Sequence, residues 1–256
     1  MSTSLLRRFE GRVAFVTGAA RGFGAAFAEA FVAEGAAVAM VDVDTAAVQE
    51  AAEKLRAAGG RVVGLECDVA DPDSVASAVE HTVGELGEIG ILVNNAGLHL
   101  TRYNLPFAKL PTDEIRRLFD VNVLGVVHCT LACAESMGRA GRGAVVNLSS
   151  LSSYQVVSPY GVSKLAVRGL TTAFAAQLGD AGIRVNAVAP GLMATESAVA
   201  DLPAELLQEF VTSRQSVHRT GAVEDVVSAV TYLCSDAASF VTGETLRVDG
   251  GVFRGV

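Results

Sequence analysis

Apolar positions along this chain follow two rhythms. Short, nearly unbroken apolar runs alternate with longer stretches in which apolar side chains return every three or four residues. Unbroken runs read as strands buried on both faces, and the 3.6-residue return reads as helices that bury one stripe. The strand runs are residues 13–17, 38–41, 61–67, 91–93, 143–148, 183–189 and 245–248. Between the first two, Phe27 and Phe31 stand one turn apart in an Ala-rich stretch that Gly35 stops. Asp44 or Thr45 caps the next helix, which carries Val48, Ala52 and Leu55 and ends at Gly59-Gly60. Asp71-Pro72 opens a third, with Val75, Val79, Val83 and Leu86 on its stripe. Thr112 is placed to cap a long helix with Asp113 and Glu114 in its first turn. Its stripe runs Ile115, Phe119, Asn122, Val126, Cys129, Cys133, Met137, with one polar member. Further helices are expected over 159–178, 203–214 and 224–233.

Strand and helix alternate throughout, with no internal repeat, low-complexity tract or linker. The prediction is an α/β fold: a single-domain, Rossmann-like, doubly wound parallel sheet of about seven strands with helices on both faces. The domain spans 11–256, with 1–10 as an N-terminal extension and 192–220 as a segment covering the substrate.

Composition narrows the function. A net charge of −8 and a pI near 5.0 provide no basic field for nucleic acid or an acidic membrane surface. No signal-peptide core and no apolar run of membrane-span length is apparent, so a soluble, cytoplasmic protein is expected. Cys67, Cys129, Cys133 and Cys234 form no C-x-x-C pair and read as reduced core thiols. The four histidines lack metal-ligand spacing, so no metal is expected.

Candidate chemistry gathers at the carboxyl ends of the strands. The first strand runs into Thr17-Gly18-Ala19-Ala20-Arg21-Gly22-Phe23-Gly24 and then a helix. Glycines let a phosphate approach the backbone, and unpaired N–H groups of the helix's first turn favour an anion. The spacing alone also fits an ordinary tight connection. A second signal is Asp42, closing the second strand eighteen residues after Gly24, near the ~20-residue offset of an acid that hydrogen-bonds the adenosine ribose. A carboxylate there repels a 2′-phosphate, which argues for NAD over NADP. Asp68 and Val69, just past the third strand, either touch the adenine or form a loop turn. Asn94-Asn95-Ala96-Gly97, after the fourth strand, lets a cofactor lie against backbone.

Asn122 on an apolar stripe needs both its donor and its acceptor satisfied. It is either a helix-kinking or loop-tethering residue or a member of an active-site relay. The fifth strand delivers Ser149 and Ser150 to the edge that holds the glycine turn. Tyr160 and Lys164 stand four apart on one helix face. A phenol with an ordinary pKa of about 10 needs nearby positive charge to exchange protons near neutrality, and Lys164 is one turn away. Ser150 is then placed to hold a substrate oxygen, with Ser152 and Ser153 as rivals. No His and acid accompany Ser150 in a hydrolase elbow.

Together these pieces resemble the short-chain dehydrogenase/reductase family over essentially all of 11–256. The matching residues are the glycine turn, Asn94–Gly97, Asn122, the serines after the fifth strand, Tyr160-Gly-Val-Ser-Lys164, Pro190-Gly191, Thr242-Gly243 and Val248-Asp249-Gly250-Gly251. The resemblance implies a nicotinamide cofactor, a Ser-Tyr-Lys site assisted by Asn122, and a homodimer or homotetramer. It also implies cofactor contacts from Gly18, Arg21, Gly22, Phe23, Gly24, Asp42, Asp68, Val69, Asn95, Ala96, Gly97, Tyr160, Lys164, Pro190, Gly191 and Thr195. Two departures stand out. Phe23 replaces a smaller aliphatic and is expected to pack away from the phosphates. The family's serine precedes its tyrosine by thirteen residues, where this chain has Asn147; Ser150 is ten away, so the loop is three residues shorter.

The expected activity is NAD-dependent hydride transfer to or from a secondary alcohol or ketone, uncharged and largely apolar. The walls at 98–110, 151–158 and 192–219 are rich in Leu, Val, Met and Phe; Arg102 and His99 are the groups that would turn inward for an acid. The alternatives are a 3-ketoacyl reductase acting on carrier-protein or coenzyme A thioesters, and a catalytically silent NAD-binding sensor or scaffold.

Overall fold

The computed structural model describes residues 7–98, 100–194 and 204–254, without the side chains of 100, 101 and 204–207. Strands β1 (Val13–Thr17), β2 (Ala37–Asp42), β3 (Val62–Glu66), β4 (Ile89–Asn94), β5 (Gly143–Leu148), β6 (Ile183–Pro190) and β7 (Thr245–Val248) form one sheet. All pairs are parallel, in the order β3-β2-β1-β4-β5-β6-β7. After β3 the chain crosses back to the far side of β1. Adjacent connections therefore diverge between β1 and β4, and the carboxyl ends of these strands open a crevice.

Helices α1 (Gly22–Ala33), α2 (Thr45–Ala57), α3 (Pro72–Leu86), α4 (Thr112–Phe119), α5 (Gly125–Arg139), α6 (Pro159–Leu178), α7 (Ala204–Ser213) and α8 (Val223–Cys234) accompany the sheet. Two cores result, one per sheet face. Ala14 and Val16 of β1 face Phe27 and Phe31 of α1 and Val226 and Val230 of α8. Val13 and Phe15 face the other way, toward Val75 and Val79 of α3, Cys129, Cys133 and Met137 of α5 and Phe174 of α6. The described part of the N-terminal extension belongs to this packing, because Phe9 is fully buried with its ring edge-on to Phe31 at 5.0 Å.

The starts of α2 and α3 follow from the sequence. Asp44 accepts from Ala47 N at 3.2 Å, and Asp71 accepts from Asp73 N at 3.0 Å with Pro72 in the first turn. The long helix after residue 111 departs from expectation in two ways. Pro111 is its N-cap and Thr112 makes no capping bond, so Asp113 and Glu114 alone complement the dipole. Its stripe is also broken. A π turn, Asp120–Leu124, separates α4 from α5, and the residue it adds changes the phase of the buried face. Leu118 is fully buried ahead of the turn, whereas Ile115 and Phe119 are only partly so. Taken with its π turn, this helix, Thr112–Arg139, is long and apolar enough to cross a membrane, with a hydropathy of 1.4; only 39% of that window is buried. The buried part packs on β4 and α3.

Candidate active site

The crevice at the β1/β4 divergence deepens into a cleft of about 650 Å³. Most of the expected cofactor residues line it: Gly18, Arg21, Gly22, Phe23, Asp42, Asp68, Val69, Asn95, Ala96, Gly97, Tyr160, Lys164, Pro190 and Gly191. Ser150 lines it as well. Gly24 does not. Its role is closeness, since a Cβ there would lie 2.1 Å from the Gly18 carbonyl oxygen, and so it fixes the turn that others present. Phe23 borders the cleft while stacking on Phe27 at 6.0 Å, so only part of it packs away. Thr195 and His99 lie outside the described residues.

The glycine turn is braced from the neighbouring strand. Asn95 donates through Nδ2 to Thr17 O at 2.9 Å and to Gly18 O at 3.0 Å. Thr17 Oγ1 in return accepts from Asn95 N and Ala96 N, both at 3.0 Å. Gly18 and Gly22 take φ of +62° and +58°, where a side chain is strained. Helix α1 then begins at Gly22 with no side-chain cap and no acid in its first turn. Donors at a helix start that the protein does not satisfy suit a pyrophosphate, and this is the observation that fits the cleft to a dinucleotide. The sequence reading quoted Thr17 at the head of the glycine turn but gave it no role of its own, although a strand-ending Thr beside such a turn is a visible signal.

At the end of β2, Asp42 accepts from Ala20 N at 3.1 Å and Asp44 N at 3.0 Å, which holds its carboxylate at the lip of the cleft. Asp68 shapes its own turn, its carboxylate accepting from Ala70 N at 2.9 Å, and also borders the cleft. Cys67 borders the same wall, but burial pushes its thiol up to about 12, so it is a poor nucleophile. Gly191 is forced by a close approach, since a Cβ there would lie 2.7 Å from Asp249 Cα.

At the other end of the cleft, α6 carries Tyr160 and Lys164. Ser158 caps the helix, accepting from Gly161 N at 3.2 Å and donating to Asn104 at 2.9 Å, so this helix start is tied to the 98–110 loop. Lys164 is buried, and its Nζ donates to Leu148 O at 2.8 Å. Burial lowers its pKa to about 8. Burial raises Tyr160 to about 12, with a hydrogen bond to Ser150 acting the other way.

Ser150 meets the phenol despite the short loop. Its Oγ accepts from Ser152 N at 3.1 Å, and a single 3₁₀ turn, Leu151–Ser153, follows. That turn rests on Gly161, where a Cβ would stand 2.9 Å from Ser152 O, so a side chain would push the loop off the helix. Asn147, thirteen residues before Tyr160, points elsewhere. It is fully buried in β5, accepting from Asn94 at 2.8 Å and donating to Thr171 at 3.0 Å. Ser153 donates to Ser150 O at 2.6 Å, and neither Ser152 nor Ser153 lines the cleft.

Asn122 sits in the π turn, buried, with its polar atoms occupied. Its Oδ1 accepts from Leu98 N at 2.7 Å, and its Nδ2 donates to Ser163 Oγ at 3.2 Å and to Leu98 O at 3.4 Å. The side chain is thus a tether for the loop over the cleft. It also stands near the lysine, because a Cβ on Gly97 would lie 3.2 Å from Asn122 Oδ1 and 3.4 Å from Lys164 Nζ.

The expected walls are placed unevenly. Leu98, Leu192 and Met193 line the cleft, whereas Leu105, Phe107, Val156 and Val157 are exposed. Arg102 is paired with Glu114 at the surface, where water and that carboxylate satisfy it. Arg117, which the sequence reading passed over, borders the cleft with Asp120 and Val121. Among the described residues no group of three or more His, Cys, Asp or Glu is disposed to hold a metal.

Comparison with known proteins agrees with this geometry. The family model described as enoyl-(acyl carrier protein) reductase matches residues 18–253. The chain is 41% identical over 246 residues to a cis-4-hydroxycyclohexanecarboxylate dehydrogenase of Sinomonas cyclohexanicum, covering 95% of this chain and 97% of that protein. It is 37% identical over 244 residues to a 3alpha-hydroxysteroid dehydrogenase of Mediterraneibacter gnavus, covering 93% and 96%. A solved gluconate 5-dehydrogenase from Burkholderia cenocepacia, in complex with NADP and tartrate, superposes with a TM-score of 0.90 at 32% identity, covering 98% of this chain and 99% of that one. A glycine turn on a seven-stranded parallel sheet, a Ser, Tyr and Lys meeting at one cleft, and matches spanning almost the whole chain lead to one conclusion: this protein belongs to the short-chain dehydrogenase/reductase family of oxidoreductases.

Proposed function

We propose that the protein is an NAD-dependent dehydrogenase that interconverts a secondary alcohol and a ketone, with an uncharged, largely apolar and alicyclic substrate. The observation that carries this reading is the meeting of Ser150, Tyr160 and Lys164 in the cleft that the glycine turn also borders. When bound, the nicotinamide supplies the hydride acceptor or donor. The chain's residues handle the oxygen and its proton. Ser150 donates a hydrogen bond to the substrate oxygen, and Tyr160 takes or gives the proton at that oxygen through its hydroxyl. Lys164 favours the phenolate by its charge, and Leu148 O holds it in place. Asn122 is a positioning residue that holds the loop at Leu98 over the site.

Asp42 supports NAD over NADP through charge repulsion with a 2′-phosphate. The apolar wall at Leu98, Leu192 and Met193 gains by removing hydrocarbon from water, at roughly 25 cal/mol per Å². Arg102 is engaged by Glu114 and does not reach inward for an acid. Two relatives named for cis-4-hydroxycyclohexanecarboxylate and 3alpha-hydroxysteroid substrates make a ring-bearing alcohol the first class to test; they support the ring, and the carboxylate in the first name makes a cyclic hydroxy acid the direct competitor of a neutral alcohol. A second reading, a 3-ketoacyl reductase, is favoured by a solved 3-oxoacyl-(acyl-carrier protein) reductase at 37% identity, by the acyl-carrier substrate named in the family model's description, and by Arg21 on the glycine turn. A silent NAD-binding scaffold is disfavoured because binding the dinucleotide gives no role to a hydroxyl pair, Ser150 and Tyr160, that meets in the cleft beside Lys164.

An absorbance assay at the nicotinamide band tests the proposal, comparing cyclic and aliphatic secondary alcohols with hydroxy acids and 3-hydroxyacyl thioesters, each with NAD and NADP. Turnover of neutral cyclic alcohols with NAD is expected. Turnover confined to thioesters or acids, or a higher kcat/KM with NADP, overturns it.

A further inference from the structure

Arg21 and Asp42 stand on the same lip of the cleft, and a third residue connects them. Asp44 donates its backbone N–H to Asp42 at 3.0 Å, and its carboxylate accepts from the Arg21 guanidinium at 2.8 Å. The other oxygen of that carboxylate caps α2 through Ala47 N at 3.2 Å. Asp44 is therefore fixed by the helix it starts, and Arg21 is drawn toward a fixed anion. Arg21 borders the cleft; Asp44 does not. A guanidinium on a glycine turn has the charge and the forked donors to bind a phosphate. Here those donors face a carboxylate, and the group of Asp42, Asp44 and Arg21 carries one net negative charge.

We infer that Asp44 is a determinant of coenzyme specificity: by pairing with Arg21 it withholds from a 2′-phosphate the cation that would otherwise receive it. This rests on the NAD reading above and extends it from the acid that repels the phosphate to a second acid that occupies its receptor. The pair is solvent-exposed, with side chains 77% and 43% accessible, so it is readily exchanged for a better anion once Asp44 loses its charge. Asp42 sets the preference, and Asp44 keeps Arg21 from eroding it.

The test is equilibrium binding of NADH and NADPH, read by nicotinamide fluorescence, to the wild type, Asp44→Asn, Arg21→Ala and the double variant. Asn retains the helix cap while removing the charge, and Asp44→Ser is a second capping variant that must behave alike. The ratio of NADPH to NADH dissociation constants is expected to fall roughly fivefold in Asp44→Asn, less so at high salt, and to be unmoved by the same change when Arg21 is Ala. A wild type that prefers NADH combined with an unmoved ratio in both capping variants overturns the role of Asp44 alone. The same holds for a shift that survives the loss of Arg21. A wild type that binds NADPH more tightly overturns the NAD reading and this inference with it.

Discussion

The ammonium of Lys164 lies 5.8 Å from the centre of the Tyr160 ring, and both side chains are buried. Burial opposes charge on each of them, holding the lysine near 8 and the phenol near 12. In the free protein the phenol is accordingly protonated at neutral pH and the lysine is mostly charged. A positive charge arriving with an oxidised nicotinamide favours the phenolate. Tyr160→Phe keeps the ring but removes the titrating hydroxyl. NADH should still bind, while kcat falls by roughly 10²–10⁴. Unchanged turnover in a stopped-flow or steady-state assay would remove Tyr160 from the proton path.

Lys164 should also cost stability. Its folded pKa of about 8 lies below the ordinary 10.5, so the unfolded chain holds this proton over that window and the folded chain does not. Stability therefore rises with pH between about 8 and 10.5 on this account. Lys164→Met removes the burial penalty but leaves Leu148 O without its donor. The variant is expected to be more stable than wild type by about 1–2 kcal/mol at pH 7, with the margin shrinking as pH rises past 9. Denaturant titrations across that range measure it. A destabilised variant at pH 7 would show that the hydrogen bond outweighs the desolvation. The same variant should move the alkaline limb of the activity profile if Lys164 tunes the phenol.

Ser150 is the serine that faces Tyr160, and its rivals have other work. Ser150→Ala should lower kcat/KM by roughly 10²-fold or more, as loss of a transition-state hydrogen-bond donor does. Ser152→Ala should be close to wild type. Ser153→Ala loses the bond to Ser150 O and should show an intermediate loss by loosening the turn. An active Ser150→Ala beside an inactive Ser152→Ala would reverse the assignment.

The fold was legible because its signals are local. Buried strands announce themselves as unbroken apolar runs, and Gly18, Gly22 and Gly24 mark a turn whose φ values and close approaches admit little else. The π turn was legible only as a polar Asn122 on an apolar stripe that could kink the helix, because Ile115, Phe119, Asn122 and Val126 fit a straight helix equally well; which phase wins depends on Asn122 reaching Leu98 and Ser163 across the fold. Spacing misled at Thr112, where Pro111 had already taken the cap. It was the wrong guide at Asn147 as well, since strand β5 fixes where Ser150 emerges whatever the length of the loop that follows. The ion pair of Arg21 with Asp44 joins residues 23 apart in sequence, and no pattern in either segment reveals it.

Helix Thr112–Arg139 has apolar surface that the described residues leave uncovered, since a span of hydropathy 1.4 has only 39% of that window buried. Leu124 and Leu131 along it, and Leu165 on α6, are exposed by 45%, 56% and 43%. Apolar surface on two helices of one sheet face is costly in water, and a second copy presenting the same helices would cover it with matching chemistry. At the far edge, β7 has one side unpaired among the described residues, Leu246 in it is exposed, and the Phe240 ring five residues before its start is fully exposed. An open edge of this kind is another surface that a copy can cover. We therefore expect a homodimer or homotetramer. Light scattering at micromolar concentration should give a mass of two or four chains. Leu131→Glu paired with Leu165→Glu should reduce that mass, whereas Phe240→Glu should do so only if the β7 edge also joins copies. A wild-type mass of one chain would leave the apolar face of Thr112–Arg139 without this explanation.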